Sequence, residues 1–230
     1  MRLFPAFLLL ALPLGAAEPN TLTAEERAAG WRLLFDGRTA AGWLEVTGKP
    51  FPASWVVEDG CLRALEVGSK QDLRTEAVYR YFELSFEWKI EAKGNSGVKY
   101  LVQKTDEWTN ATGRQARARG LEYQIFDDAG AALKPEQNCG ALYGVRAPSA
   151  RPARPPGQFN ESRIVVRRGR IEHWLNGLKV VESVTPDPEI SAMLSRYADG
   201  GAVKDETYLS LQNHGGLARF RNLKLRVLPE

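Results

Sequence analysis

The chain has 230 residues, with 31 lysines and arginines against 28 aspartates and glutamates, and a formal charge of +3. Hydrophobic residues make up 43% and aromatic residues 10%, which is enough to bury a sizeable core and excludes a disordered chain. So small a charge, with basic residues scattered except around 114–119 and 146–170, argues against a nucleic-acid surface, and no nucleic-acid partner is expected.

Met1-Arg2 is followed by an apolar run over residues 3–14, then Gly15-Ala16-Ala17 before the polar Glu18. A charged start, a short greasy core and a small-residue cleavage site describe a signal peptide. Cleavage is expected near Ala17, leaving an exported protein, periplasmic or extracellular. The run falls short of the roughly 20 apolar residues needed to cross a bilayer, and no later stretch qualifies, so no membrane span is expected. Residues 18–230 are expected to form one all-β domain, since sandwiches of this size commonly fold as a unit.

Along that domain, residues 24–29 read as a turn of helix. Period-two alternation is strongest over residues 82–90, Phe82-Glu83-Leu84-Ser85-Phe86-Glu87-Trp88-Lys89-Ile90, which predicts a strand with one face in a core. Weaker alternation predicts strands at 55–58, 61–65, 98–103, 121–126, 162–167, 171–175, 208–212 and 217–227. Asp59-Gly60, Gly94-Asn95, Arg168-Gly169, Asn176-Gly177 and His214-Gly215-Gly216 supply the turns. Residues 105–113 read as a polar loop carrying Trp108. Four prolines and two arginines in 147–157 predict a surface loop, and a second short helix is expected at 191–197. Many short strands joined by such turns imply two packed antiparallel sheets, an antiparallel β-sandwich of jelly-roll type. Trp31, Trp43, Trp55, Trp88 and Trp174 are expected in the core. Cys61 and Cys139 are compatible with one disulfide in an oxidising compartment.

Alternation also sorts side chains by face. Leu121, Tyr123 and Ile125 fit a core, so Glu122 and Gln124 point outward together. In the same way Ser210 pairs with Gln212 while Leu209 and Leu211 are buried, and His214 follows at the strand end. A carboxylate, two amides and an imidazole on one concave surface would suit a sugar, whose hydroxyls need planar donor and acceptor groups and aromatic platforms. The ordinary solvated face of an antiparallel sheet has the same pattern.

Seven short segments in order carry a further resemblance. They are Leu34-Phe35-Asp36-Gly37 with Gly42-Trp43, Phe82-Glu83-Leu84 leading to Glu87-Trp88-Lys89-Ile90, Gly94-Asn95-Ser96-Gly97-Val98-Lys99-Tyr100, Glu122-Tyr123-Gln124-Ile125-Phe126-Asp127-Asp128, Glu172-His173-Trp174-Leu175-Asn176-Gly177, Leu211-Gln212-Asn213-His214-Gly215 and Phe220-Arg221-Asn222-Leu223. In these the chain resembles the 3-keto-disaccharide hydrolase family, whose fold is similar to the concanavalin-like sandwiches. It departs from that pattern at Asp205-Glu206-Thr207-Tyr208, at Asn213, where an acidic residue is usual, and at Cys139, where a small residue such as threonine is usual.

The resemblance implies cleavage of a glycosidic bond next to a sugar oxidised at carbon 3, with carbohydrate as the partner molecule. Such cleavage needs a base near carbon 2, a cation or donor at the enolate oxygen and an acid for the leaving oxygen. Glu122 or His214 is then the candidate base and Lys99 the candidate enolate stabiliser. Asn95, Gln124, Asp127, Glu87, Gln212, His173 and Trp108 are candidate substrate contacts. Asp127, Asp128 and Glu122 match no recognised metal motif, so no metal and no cofactor is assigned. A non-catalytic carbohydrate-binding module is the alternative, because the same sandwich serves both.

Overall fold

A computed structural model describes residues 18–230; the expected signal peptide, residues 1–17, lies outside the described residues. In chain order the elements are α1 (Ala24–Ala28), β1 (Arg32–Leu33), β2 (Trp43–Glu45), β3 (Trp55–Glu58), β4 (Cys61–Ala64), β5 (Lys70–Gln71), β6 (Leu73–Thr75) and β7 (Phe82–Lys89). There follow β8 (Asn95–Asn110), β9 (Gly113–Phe126), a 3-10 turn (Pro135–Gln137), β10 (Asn160–Arg167), β11 (Arg170–Leu175), β12 (Leu178–Val184), α2 (Pro188–Ala198), β13 (Ser210–Leu211) and β14 (Arg219–Val227).

Two sheets face each other, as the alternation requires. The first runs β12-β11-β10-β7-β14-β4-β3, with β1 paired to β14, and the second runs β2-β6-β13-β8-β9-β5. Pairing is antiparallel except between β5 and β9. The inward residues of β7, namely Phe82, Leu84, Phe86 and Trp88, meet Val98, Tyr100, Leu121, Tyr123 and Ile125 of the second sheet in one buried cluster. Phe86 stands edge-on to Tyr123 at 5.7 Å and Phe82 edge-on to Tyr100 at 6.3 Å, a geometry worth about 0.5–1.5 kcal/mol per pair beyond the area buried. Their polar ends are satisfied inside: Tyr123 and Trp88 both bond Ser162 Oγ, at 2.8 and 2.7 Å.

Several elements differ from the sequence reading, each for a local reason. The helix expected at 191–197 begins at Pro188, because Asp187 caps the amides of Glu189 and Ile190 and proline suits the first helical position. It buries Ile190 and Leu194. Residues 105–113 are not a loop: β8 and β9 continue through them as a long hairpin. That extension is exposed over much of its length, so burial leaves little alternation. Facing charges hold it instead, with Arg119 Nε donating to Asp106 at 2.5 Å and Arg114 to Glu107 at 3.0 Å.

Trp43, Trp55 and Trp88 are core residues as expected. Trp31 and Trp174 are only half-buried. They flank a groove of about 330 Å³ on the first sheet, with Arg226 over one ring and Arg163 over the other. Cys61 and Cys139 are both buried, and they are free thiols rather than a disulfide. Cys61 lies in β4 of the first sheet and Cys139 follows the 3-10 turn, so sequence spacing alone carried no information on their separation. Among the described residues no helix is long and apolar enough to cross a membrane.

Candidate active site

The second sheet turns one face to the core and the other to a cleft of about 460 Å³. The ladder places Ser210 of β13 beside Lys99 of β8, and Lys99 beside Glu122 of β9, in a single row across three strands. One step along, Gly97 faces Gln124. The expected surface is therefore formed: Glu122, Gln124, Gln212 and His214 line one cleft, with Lys99, Asn95 and Trp108. Tyr123, Leu209 and Leu211 are buried beneath.

Glu122 is the one carboxylate among the residues lining the cleft. Its side chain is 15% exposed and lies 3.8 Å from Lys99 Nζ. Burial raises its pKa; Lys99 opposes this, Asp72 adds to it, and Arg117 and Arg119 oppose it more weakly. Lys99 is itself enclosed, with a side chain 5% exposed. Two of its donors are directed at Asp72 Oδ2 (3.3 Å) and the Ala118 carbonyl (3.1 Å), and a third is available toward Glu122.

The floor also holds unpartnered polar atoms. Gln124 Oε1 and Gln212 Oε1, on residues that line the cleft, are buried without a hydrogen-bond partner among the described residues. Leaving such groups unpaired costs about 1–3 kcal/mol each, so these are acceptors that a ligand's hydroxyls would satisfy. His214 lines the cleft and is exposed overall. Partial desolvation, reinforced by Arg117 and then Lys70 and Lys99, lowers its pKa, so the imidazole is neutral at neutral pH. Lys70 lies against Gly215, where a β-carbon would come within 2.6 Å of its ammonium. Trp108 (40% exposed) and Tyr143 (37% exposed) stand on the rim together with Tyr197 of α2.

Three expected contacts lie elsewhere. Glu87 belongs to the first sheet, where Arg221 and Asn222 hold its carboxylate at 2.7 Å each; alternation assigned it an outward face but not a sheet. Asp127 accepts from the backbone of Lys93 at 2.8 Å beside the Gly94 turn and lines a separate small pocket. His173 shares parity with Ile171 and Leu175 and is fully buried with them. Its Nδ1 faces the Gly140 carbonyl at 3.1 Å and must donate, so Nε2 accepts from the Tyr100 hydroxyl at 2.8 Å. Burial lowers its pKa to about 4, leaving it neutral.

Asp72, Lys70, Arg117, Arg119, Tyr143 and Tyr197 are absent from the candidates that sequence reasoning supplies. The two arginines carried a signal: Gln115-Ala116-Arg117-Ala118-Arg119 alternates with period two, as a strand with a small-residue face does. The parity that faces the cleft changes from even numbers (Glu122, Gln124) to odd (Gln115, Arg117, Arg119) across Gly120. There β8 shifts register between Tyr100 and Lys104 and packs its backbone where a Gly120 side chain would be. Asp72 had no such signal, because the strands on either side of it are two and three residues long.

The profile of the 3-keto-alpha-glucoside-1,2-lyase-like domain family matches residues 30–226. A 3-keto-disaccharide hydrolase of Bacteroides thetaiotaomicron is 28% identical over 244 aligned residues, covering 94% of this chain and 84% of that protein. A crystal structure from Parabacteroides distasonis, described as a glycosyl hydrolase, superposes with TM-score 0.78 at 30% identity, covering 92% of this chain and 100% of the other. A second from the same organism, described in the same way, gives TM-score 0.64 at 27% identity, covering 86% and 99%.

Proposed function

The chain belongs to the 3-keto-alpha-glucoside-1,2-lyase-like domain family, and from that premise we propose that it cleaves 3-keto-glycosides by elimination at carbons 1 and 2. A ketone at carbon 3 acidifies the carbon-2 hydrogen. Glu122 takes that proton, and the electron pair left behind delocalises onto the ketone oxygen as an enolate. Collapse of the enolate forms the double bond between carbons 1 and 2 and breaks the bond from carbon 1 to the aglycone oxygen, which leaves and takes up a proton. Water added across the new double bond returns a 3-keto sugar, so the net change is hydrolysis.

The observation that carries this reading is the solitary carboxylate. Ordinary glycoside hydrolysis uses two carboxyl groups flanking the bond, whereas elimination needs one base and a positive charge. Glu122 is shielded, has no hydrogen-bond donor among the described residues other than the Lys99 ammonium nearby, and is less acidic than usual. Those are the properties of a carboxylate tuned as a base. Lys99, Lys70 and Arg117 supply positive charge for the enolate. The unpartnered oxygens of Gln124 and Gln212 suit sugar hydroxyls, and Trp108 suits a ring face. His214, neutral at neutral pH, acts as a hydrogen-bond partner rather than a charged acid. The leader-like run at residues 3–14 supports action outside the cytoplasm.

The test is to incubate the protein in deuterated water with a panel of 3-keto-glycosides and their unoxidised parents. The keto compounds should be cleaved, the parents should not, and the released sugar should carry deuterium at carbon 2. Parents cut as fast as keto compounds, or a product without label at carbon 2, would exclude elimination. Binding of sugars without cleavage of any compound would place the chain among carbohydrate-binding modules.

A further inference from the structure

Asp72 does not line the cleft, yet much of what lines it is tied to this residue. It is completely buried in the short link between β5 and β6. Its backbone is fixed on both sides, the amide donating to Ala116 at 2.9 Å and the carbonyl accepting from Val46 at 2.9 Å. Its carboxylate then meets four donors from three segments. Oδ1 accepts from Arg117 Nη1 at 2.9 Å and the Asn213 amide at 3.1 Å. Oδ2 accepts from the Ala118 amide at 3.1 Å and Lys99 Nζ at 3.3 Å. A carboxylate has about four lone-pair sites, so every one is in use.

We propose that Asp72 is the positioning residue of this site: one buried carboxylate that holds Lys99, Arg117 and the turn leading to His214 in a single arrangement around Glu122. This rests on the reading of Glu122 as base. Were Asp72 only a counter-ion for a buried lysine, the Lys99 contact would suffice. The additional bonds to Arg117 and to the Asn213 amide join two more cleft elements to the same carboxylate. Asn213 completes the turn, its side-chain amide bonded to the Ser54 carbonyl at 2.9 Å and its oxygen accepting from Gly215 at 3.0 Å. The charged groups around Glu122 are Lys99 of β8, Arg117 and Arg119 of β9, and Asp72, with Lys70 and His214 also lining the cleft. Asp72 is the one negative charge among them and opposes ionisation of Glu122.

The test needs a readout that a purely structural role would leave still. Glu122 should be titrated by carbon-13 NMR in Lys99→Met and in the double variant Lys99→Met/Asp72→Asn, which avoids stranding a buried lysine. Loss of Asp72 should move the Glu122 titration to lower pH; an unchanged titration overturns the proposal. With a cleaved 3-keto-glycoside in hand, Asp72→Asn should lower kcat/KM on the order of 10- to 100-fold and carry its acidic limb to lower pH. Loss of activity with the limb unmoved would mean support of the fold alone, and would also overturn it. In the unaltered protein the Ala118 and Asn213 amides should be protected from hydrogen exchange alike, and free exchange at Asn213 would show that Asp72 does not hold the turn. Titration and exchange need no substrate, so if no keto-glycoside is cleaved the proposed activity fails while the role of Asp72 is still decided.

Discussion

A β-carbon on Gly97 would sit 2.5 Å from Glu122 Oε1 and 3.0 Å from its Cδ, so the cleft's carboxylate occupies the space a side chain on the facing strand would fill. Gly97 lies on the cleft face of β8, one ladder step from Lys99. Gly97→Ala should therefore displace the carboxylate and leave the fold in place, because the clashing atoms are the far end of a side chain. Activity on a 3-keto-glycoside should fall on the order of 10- to 100-fold, as expected when a reacting group is shifted by about 1 Å. Far-ultraviolet circular dichroism should be unchanged, and wild-type activity in the variant would show that Glu122 does not need this position.

Glu122→Gln keeps the shape and removes the base, with an expected loss on the order of 100-fold or more in rate. Stability should move the other way. The folded-state pKa of Glu122 is raised above its ordinary 4.5, so ionisation costs stability as pH rises through the raised value. The variant should thus match wild type in acid and exceed it in stability at neutral pH. Urea unfolding at several pH values measures this; a variant less stable at neutral than at acid pH, relative to wild type, would contradict the assignment.

Trp108 stands on the rim and is 40% exposed, so its removal leaves no core cavity. Trp108→Ala should raise KM about 3- to 10-fold, the equivalent of one aromatic contact, with kcat little altered, since the ring binds substrate and transition state alike. A fall in kcat at constant KM would instead put the ring beside the reacting carbons.

His173 tests the core rather than the cleft. Its pKa is lowered from 6.5 to about 4, so the folded state resists a proton that the unfolded chain accepts. Its contribution is whole above pH 6.5 and is lost as pH falls from there to about 4, amounting to on the order of 3 kcal/mol. His173→Gln should be less stable at pH 8, through lost bonds to Tyr100 and Gly140, and should lose stability less steeply across that window. Equal slopes by chemical denaturation would mean that His173 titrates normally.

Side-chain parity was legible in the sequence wherever a strand is long and one face is buried. It placed Glu122 with Gln124 and Gln212 with His214, set Tyr123, Leu209 and Leu211 inward, and implied two sheets, because strand alternation is local and an apolar face must be covered. Parity is silent on which strand lies beside which. Glu87 and Glu122 have the same outward pattern, and only the pairing of β7 with β10 and β14 rather than β8 puts Glu87 in the other sheet. Alternation also fails where a strand changes face, as β9 does at Gly120, and where pairing rather than burial holds a hairpin, as at Trp108. Asp72 is the extreme case. Its neighbours along the chain show no pattern, and its importance comes from Lys99, Arg117, Ala118 and Asn213, all brought to one carboxylate by long-range pairing. Tertiary structure alone decided that convergence, because no local property of residue 72 encodes which donors will surround it.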